Sequence, residues 1–480
     1  MGRGEEPASG EGGGGGCACS VVVTYHTPDT PDTRSAQAGA VRSRYQTDAL
    51  EGVPMKATKV TASQGRIVPG PMEWAGPAVT DRQLAGLFTR RSAAGPAKAS
   101  SVGILSTYPP TQCGIATFTA SLTAALTASL VADLSILSVG IVRVGPAQPS
   151  RHDPRVVLDL AGHSVSDNRD AARVLNKFDV AIIQHEYGIY GGADGDQILD
   201  ILELLEVPVV LVVHTVLSEP TPHQRFVLEM LTQSVDTVVT MSPAGRRRLL
   251  DDYRVEPHRV VLIPHGAPVE DEPVRVSAQG RRPTVLTWGL LGPGKGIEWG
   301  IDALSAMSLP HLQPRYVIAG QTHPKVLAGQ GESYRDFLVR RAQSRGVGHL
   351  VEFEAGFISP GRLRELLREA DVVLLPYDSH EQITSGVLTE AMASRVPVVS
   401  TSFPHAVDLL GDGRGGTLVP HGEPAAIAAA LTRILVEPGV AAAMSAHNAT
   451  VTRLVGWPAV AARYRELLDT LVRRPSVLRR

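Results

Sequence analysis

The sequence predicts an α/β protein with two Rossmann-like, doubly wound domains that face each other across a cleft. Three observations support this fold class. Short apolar runs alternate with helical patterns from residue 101 onwards, this pattern restarts after a polar, proline-containing break near residues 268–283, and 43% of the chain is hydrophobic but only 5% aromatic. Strands that alternate with helices form parallel sheets, which bind ligands at the carboxyl ends of their strands.

The predicted organisation has four parts. Residues 1–98 contain the glycine run Gly12–Gly16 and no sustained apolar periodicity, so we expect a disordered extension. The first domain covers residues 99–272 and the second covers residues 280–450. Residues 451–480 contain a last helical segment, which either completes the second domain or crosses back to the first.

In the first domain, the strand Val102–Leu105 precedes a helix that has Phe118, Leu122 and Leu126 on one face. Apolar runs predict five further strands in this domain: Ser135–Val139, Val180–Ile183, Val209–Val213, Thr237–Met241 and Val260–Ile263. Five more are predicted in the second domain: Thr284–Thr287, Tyr316–Ala319, Val351–Phe353, Val372–Leu375 and Val396–Ser400. The last helix is predicted at Pro458–Val472.

Composition excludes several classes of protein. Lys and Arg number 46 against 48 Asp and Glu, so the charge predicts no nucleic-acid partner. The three cysteines make no disulfide framework, and Cys17 and Cys19 lack the further ligands of a zinc site. We therefore expect no metal site and a reducing, cytoplasmic location. No apolar run approaches the ~20 residues that span a bilayer.

The segment from Gln382 to Val399 predicts a phosphate site. The small residues Ser385 and Gly386 open a helix that carries Glu390 one turn further on. The free N–H groups and the dipole of a helix N-terminus favour phosphate. A carboxylate one turn along can accept hydrogen bonds from a ribose diol, so the segment indicates a nucleoside diphosphate site.

A glycine-rich loop upstream is the second anion-binding candidate. Lys295 follows Gly289, Gly292 and Gly294 after an apolar strand, at the start of a helical pattern. Glycine lets the backbone approach a ligand closely, and lysine is a mobile charge suited to a diphosphate. The alternative is a strand-to-helix loop with a solvated lysine.

Polar residues follow two strands of the first domain, where a doubly wound fold places its active site. We expect His214 either to serve the site or to pack against a neighbouring element. His185 and Glu186 either line an acceptor pocket or cap the next helix. His405 is interpreted as a loop residue. The run Arg246–Arg248 predicts a solvated helix face, with attraction to an anionic membrane surface as the alternative.

From about residue 101 to 472, the chain resembles the GT-B-fold glycosyltransferases of family 4, the retaining group 1 enzymes. The resemblance rests on five segments: Val260–Gly266, Gly289–Gly296, Val317–Gly320, Ala370–Tyr377 and Leu388–Ala393. It implies transfer of a hexose with retention of configuration from a nucleotide-sugar co-substrate, without a metal or other cofactor. The acceptor would be a carbohydrate, a lipid-linked carrier or a small metabolite. A lipid carrier would imply peripheral contact with the inner membrane face.

The resemblance also implies roles for individual residues. Lys295 would bind the diphosphate, and Glu390 would bind the ribose hydroxyls. His214 would lie near the donor sugar. The remaining donor contacts would come from the phosphate-capping N–H groups, the nucleobase loop and a glycine loop across the cleft: Ser385, Gly386, Val387, Phe357 and Gly114. The last helix is similar to the family segment that crosses back onto the N-terminal domain.

The chain departs from the family pattern at three positions. Gln382 stands eight residues before Glu390, where the family has an acid, and Glu381 is one place away. We expect the Gln382 amide to hydrogen-bond the donor sugar. Leu290 replaces the family's phosphate-binding arginine. His265 stands where the family often has Asn, and we expect a structural role near the hinge. Two alternatives therefore stay open: a non-catalytic nucleotide- or sugar-binding protein, and an epimerase or phosphorylase of the same fold.

Overall fold

The computed structural model describes residues 98–128, 137–145, 153–161, 164–269, 281–307 and 312–473. The predicted disordered extension lies outside these ranges, except for Lys98. Two parallel sheets with helices on both faces confirm the predicted fold class.

The first domain is built on a seven-stranded parallel sheet with the order β3-β2-β1-β4-β5-β6-β7. Its strands are β1 (Ser101–Ser106), β2 (Ser138–Val144), β3 (Val156–Leu160), β4 (Val180–His185), β5 (Val209–Val213), β6 (Thr237–Thr240) and β7 (Val260–Leu262). Its helices are α1 (Gly114–Thr127), α2 (Val165–Leu175), α3 (Ile198–Leu202), α4 (Pro222–Ser234) and α5 (Pro243–Asp251). The strand order reverses between β1 and β4, and ligands bind at such switch points.

The second domain is built on a six-stranded parallel sheet with the order β10-β9-β8-β11-β12-β13. Its strands are β8 (Thr284–Trp288), β9 (Arg315–Ala319), β10 (Val351–Glu354), β11 (Val372–Leu375), β12 (Val398–Thr401) and β13 (Gly416–Val419). Its helices are α6 (Ile297–Ala306), α7 (Pro324–Gln330), α8 (Ser333–Ser344), α9 (Pro360–Glu369), α10 (Gly386–Ala393), α11 (Pro404–Leu410), α12 (Pro424–Val436) and α13 (Val440–Val455). Its switch point lies between β8 and β11.

The last helix, α14 (Trp457–Arg473), packs on the first domain. Val460, Tyr464 and Leu468 are fully buried in the same apolar cluster as Phe118 and Leu122 of α1. One face of α14 therefore completes the apolar core of the first domain. Burial of such side chains contributes roughly 1.5–3 kcal/mol each.

Three strands differ from their predictions. The strand predicted at Ser135–Val139 is β2, which runs on to Val144 because Arg143 interrupts the apolar pattern without ending the strand. Arg143 is buried and its Nε lies 2.6 Å from the Asp159 carboxylate of β3. That same polar Asp159 obscured β3, and β13 is short and begins with glycine, so neither was predicted.

In the described part of the chain, no single helix is long and apolar enough to cross a membrane. The pair α12 and α13 passes the same test only together, across a bend of 93°.

Candidate active site

The glycine loop after β8 holds Lys295 at the carboxyl edge of the second sheet. A backbone hydrogen bond holds the loop in place, because the Asp378 N–H donates to the Gly294 carbonyl at 3.0 Å. Gly296 has φ 59°, and a Cβ there would meet the Pro376 carbonyl oxygen at 1.8 Å, so only glycine fits. The Lys295 ammonium lies 4.3 Å from the Tyr377 ring centroid. Burial lowers the pKa of Lys295 to about 8. None of the described carboxylates pairs with it.

The N-terminus of α10 presents free donors. The Ser385 hydroxyl caps the helix by accepting from the Leu388 N–H at 3.2 Å. The N–H groups of Gly386 and Val387, the first two helical residues, have no acceptor among the described residues. They are therefore available to an anion, as the sequence predicts for such a helix start.

The glycine loop and α10 adjoin each other. A Cβ on Gly289 would lie 3.9 Å from a methyl carbon of Val387, so the glycine loop begins beside the start of α10. Glu390 lies one turn along α10 and accepts a hydrogen bond from the indole of Trp288, at the end of β8. Burial raises the pKa of Glu390 to about 7, and the indole opposes the rise. The indole thus orients the carboxylate.

Gln382 and Glu381 point in different directions. The Gln382 amide donates to the Thr384 carbonyl at 3.1 Å, within its own loop. Glu381 instead turns to the first domain, where it accepts from the Ser218 N–H at 2.9 Å and from Arg248 at 2.6 Å. Burial opposes ionisation, but these hydrogen bonds hold the pKa of Glu381 below its usual range. Glu381 therefore does not substitute for the missing family acid in this arrangement.

His405 is not a loop residue, so that interpretation of the sequence was wrong. It lies in α11, buried, and its Nδ1 accepts from the Ser385 N–H at 2.8 Å. The backbone N–H of His405 donates to the Gln382 carbonyl oxygen at 3.3 Å. Burial lowers the pKa of His405 to about 3, which keeps the ring neutral and able to accept. His405 thus holds both ends of the segment that leads into α10.

His214 follows β5 and faces the same crevice. Its Nε2 lies 2.7 Å from the Gln184 side-chain oxygen at the end of β4. A carbonyl oxygen only accepts, so Nε2 carries the proton and Nδ1 is left as an acceptor. The edge of the Phe118 ring packs against it at a centroid distance of 5.2 Å. Burial lowers the pKa of His214 to about 3, with smaller contributions from His265 and His185.

His185 and Glu186 are buried at the end of β4, and neither caps a helix. Both ring nitrogens of His185 lack a hydrogen-bond partner among the described residues. Glu186 accepts from the Thr215 hydroxyl at 2.6 Å and from the Tyr187 N–H at 3.1 Å. Burial raises the pKa of Glu186 to about 7, against the charge of Lys325 from the second domain. The hydrogen bonds from Thr215 and Tyr187 oppose this rise more strongly than Lys325 does.

Gly114 of the first domain and Phe357 of the second each lie at a position that is open to a ligand. Gly114 is the first residue of α1, and a Cβ there would meet no atom within 4 Å, so the helix start is open. Phe357 follows β10 beside Gly356, which has φ 102°, and is 43% exposed. An exposed aromatic ring at a strand end suits stacking on a planar ligand.

The arginine run of α5 contacts the second domain, so the predicted solvated face is confirmed only for Arg247, whose side chain is 61% exposed. Arg248 binds Glu381, and Arg247 lies 2.9 Å from the Asp408 carboxylate of α11. The Ala244 N–H also donates to Asp408 at 2.7 Å. Arg248, whose side chain is only 15% exposed, does not belong to a solvated face, and attraction of the run to a membrane surface stays a prediction.

The sequence did not predict the contacts of Trp288 and Tyr377 at the site, or the position of His265. Trp288 and Tyr377 follow apolar runs, so the sequence predicts core residues. In the structure each contacts a charged residue of the site: Trp288 contacts Glu390 and Tyr377 contacts Lys295. His265 packs against the first residue of α10 rather than apart from the site. Its ring centroid lies 5.0 Å from that of Phe118.

Two family models match the chain. Residues 114–271 match the model described as Glycosyltransferase Family 4, and residues 282–437 match the model described as Glycosyl transferases group 1. These ranges contain Gly114, His214, Lys295 and Glu390. The two matches fall on the two parallel sheets.

Curated relatives share part of the chain. It is 29% identical to the D-inositol 3-phosphate glycosyltransferase of Kineococcus radiotolerans, over 53% of this chain and 64% of the relative. It is 30% identical to the protein of the same name from Acidothermus cellulolyticus, over 49% of this chain and 56% of the relative. The matched region thus spans less than two thirds of either relative.

Solved structures share the fold. Anabaena HepE in complex with UDP and glucose has a TM-score of 0.61 at 15% identity, covering 77% of this chain and 99% of its own. Sucrose-phosphate synthase from Thermosynechococcus elongatus has a TM-score of 0.60 at 20% identity, covering 78% and 99%. Both support the GT-B arrangement of two Rossmann-like domains.

Proposed function

Because residues 114–271 carry a family 4 glycosyltransferase domain and residues 282–437 carry a group 1 domain, we propose that the chain is a hexosyltransferase. It moves a hexose from a nucleoside-diphosphate sugar to an acceptor hydroxyl with retention of configuration. One observation carries this proposal: the buried ammonium of Lys295 lacks a carboxylate partner and shares its site with the free N–H groups of Gly386 and Val387. Such a site binds a diphosphate.

The donor lies along the carboxyl edge of the second sheet. Lys295 and the start of α10 bind the diphosphate, and Glu390 accepts hydrogen bonds from the ribose diol. Phe357 packs along the nucleobase. Gly114 closes the site from the first domain, where the open helix start admits the diphosphate without a clash. No metal or further cofactor is required, because Lys295 and the N–H groups neutralise the leaving diphosphate.

Retention is proposed from the resemblance to the retaining group 1 enzymes, and the surroundings of the donor sugar bear only on how it is achieved. A double displacement needs a free carboxylate beside the anomeric carbon. Glu381 is held by Arg248 and Ser218, and the matching position is the amide Gln382. The leaving phosphate therefore takes the acceptor proton on the same face, while His214 and Gln382 position the sugar hydroxyls.

The acceptor binds on the first domain, near Glu186 and His185. A carboxyl with a pKa of about 7 exchanges hydrogen bonds with a hydroxyl in both of its protonation states. The names of the curated relatives make a phosphorylated polyol the first acceptor to test. Carbohydrates and lipid-linked carriers are the other two classes.

Turnover measurements test the proposal. UDP-glucose and GDP-mannose are incubated with each acceptor class, and nucleoside diphosphate release is followed with and without acceptor. We expect release that depends on acceptor, and an α-linked product from these α-linked donors by the NMR coupling of its anomeric proton. A β-linked product would contradict retention.

A second candidate is a nucleotide-sugar-binding protein without turnover. It is favoured by Leu290 and by the Gln382 amide, which already bonds within its own loop. Tight donor binding with no release of nucleoside diphosphate under any acceptor would establish this second function.

A further inference from the structure

His265 places one edge of its imidazole against the start of α10. A Cβ on Gly386 would lie 2.9 Å from both Nε2 and Cε1 of His265, and the three atoms nearest to it all belong to this ring. The other sides of the ring are covered by Phe118 and Trp457, whose ring centroids lie 5.0 Å and 6.2 Å away. The Nε2 edge therefore faces the site of the free N–H groups.

One hydrogen bond fixes the tautomer of His265. Its Nδ1 lies 2.8 Å from the Gly266 carbonyl oxygen, which can only accept, so Nδ1 carries the proton. The neutral ring then presents the lone pair of Nε2 to the start of α10. Burial lowers the pKa of His265 to about 4, so this neutral form prevails near pH 7 in the free protein.

A lone pair beside a bound phosphate is repulsive, whereas an imidazolium N–H there is a charge-assisted donor. The family's second phosphate cation is absent because Leu290 stands in its place. A diphosphate that binds at Lys295 and α10 therefore supplies the negative charge that favours protonation of Nε2.

The other ionisable groups near His265 are not placed to carry a positive charge beside the diphosphate in its stead. They are His214, after β5, and His405, on α11, and the charge of His265 contributes to the lowered pKa of each. Protonation of His405 would break its bond with the Ser385 N–H. Helix α1 carries no ionisable side chain, Glu390 lies one turn further along α10, and the α14 residue in contact is Trp457. Of the three histidines, only His265 is among the nearest neighbours of Gly386.

We propose that His265 binds the donor diphosphate as an imidazolium and takes up one proton from solvent at Nε2 when the donor binds. This inference rests on the proposed donor site. The imidazolium then supplies the second positive charge beside the leaving diphosphate, where negative charge grows during transfer. Donor affinity falls as pH rises, by up to about tenfold per pH unit between the free and bound pKa values.

Calorimetry measures the proton directly. UDP-glucose and GDP-mannose are titrated at pH 6.5 in two buffers with different ionisation enthalpies, since neither ligand titrates near this pH. At that pH Lys295, with a pKa of about 8, is already protonated and adds almost nothing. Glu390, with a pKa of about 7, also titrates here but contributes equally to both proteins, so we expect the wild type to take up roughly one proton more than His265→Asn. His258→Asn is the matched control, because this histidine is exposed on a different surface.

The outcomes separate the two claims. Net proton release by the wild type on binding, as Glu390 alone would give, would overturn this inference and leave the donor site intact, and it needs no variant. Undiminished uptake by a folded His265→Asn protein, checked by its melting curve, would also overturn it. Failure of the wild type to bind either sugar nucleotide would overturn the donor site and this inference together.

Discussion

At the scale of single residues, the site contains charged groups whose burial lowers stability. Lys295 has an aromatic ring but no carboxylate beside it, and Glu390 has an indole donor but no cation in its hydrogen bond. Burial removes water from both groups, and their neighbours do not fully replace its stabilisation of the charged form. The pKa of Lys295 is therefore lowered and that of Glu390 is raised. Such groups are typical of ligand sites, where the ligand supplies the missing partner.

Lys295→Met should separate function from stability. We expect turnover to fall about 100-fold or more, because the leaving diphosphate loses a cation. The melting temperature should rise by roughly 2–4 °C per kcal/mol recovered from the buried charge. Between about pH 8 and 10.5 the unfolded chain binds more protons at Lys295 than the folded chain does, so the wild type gains stability as the pH rises. The difference in melting temperature between the variant and the wild type therefore narrows in this range. Lys177→Met, at an exposed position, is the control; a melting temperature below wild type would contradict the account.

Glu390→Ala should weaken donor binding more than tenfold, because the ribose diol loses an acceptor and the Trp288 indole loses its partner. Calorimetry with UDP or GDP measures this change. Glu437→Ala, which removes an exposed carboxylate far from α10, is the control. Equal affinities for Glu390→Ala and wild type would remove the ribose assignment.

At the scale of elements, α11 determines the start of α10. The His405 ring accepts from Ser385, and its backbone N–H holds Gln382, so the short segment between them has little freedom. A fixed helix start binds an anion without the cost of ordering it first. The hydrogen bond between Ser385 and His405 could not be predicted from the sequence, because the two residues are 20 positions apart.

His405→Ala should lower donor affinity about fivefold or more, because the Ser385 N–H loses its acceptor and the loop loosens. His405→Asn supplies an acceptor near the place of Nδ1 and should recover most of the loss. Calorimetry on both variants distinguishes positioning from packing. Equal weakening in Ala and Asn variants would indicate that only the volume of the ring matters.

Most strands could be predicted because a buried parallel strand is a continuous apolar run. The missed β3 and the far end of β2, which runs beyond its prediction, share a charged pair, Arg143 and Asp159, which only the fold brings together. The site was partly predictable, since Lys295 and the start of α10 follow glycine and small residues. His405 and Trp288 were not, because a histidine in a short helix and a tryptophan at a strand end carry no local pattern.

At the scale of the whole molecule, the domains are joined by polar contacts beside the site. Glu381 and Asp408 of the second domain bind the α5 arginines of the first. The side chain of Asp408 is only 7% exposed, whereas that of Arg247 is 61% exposed, so solvent screens this pair from the side of the arginine. The same loop that leads into α10 therefore also bears on domain closure.

Glu381→Gln should favour a more open arrangement of the domains, because Arg248 loses its charged partner. We expect a larger radius of gyration in small-angle scattering and a lower kcat/KM, with the melting temperature changed little. Glu203→Gln, at an exposed position of the first domain, is the control. An unchanged scattering curve would show that this contact does not hold the closed form.

The most direct test of the donor site is a thermal-shift series of the wild-type protein with UDP, GDP, ADP and their hexose forms. A ligand that binds only the folded state raises its melting temperature by mass action. We predict that one nucleotide and its hexose form raise the melting temperature and that the other bases do not. If none of these ligands shifts it, Lys295 and the start of α10 do not bind a nucleoside diphosphate, and the proposed function is wrong.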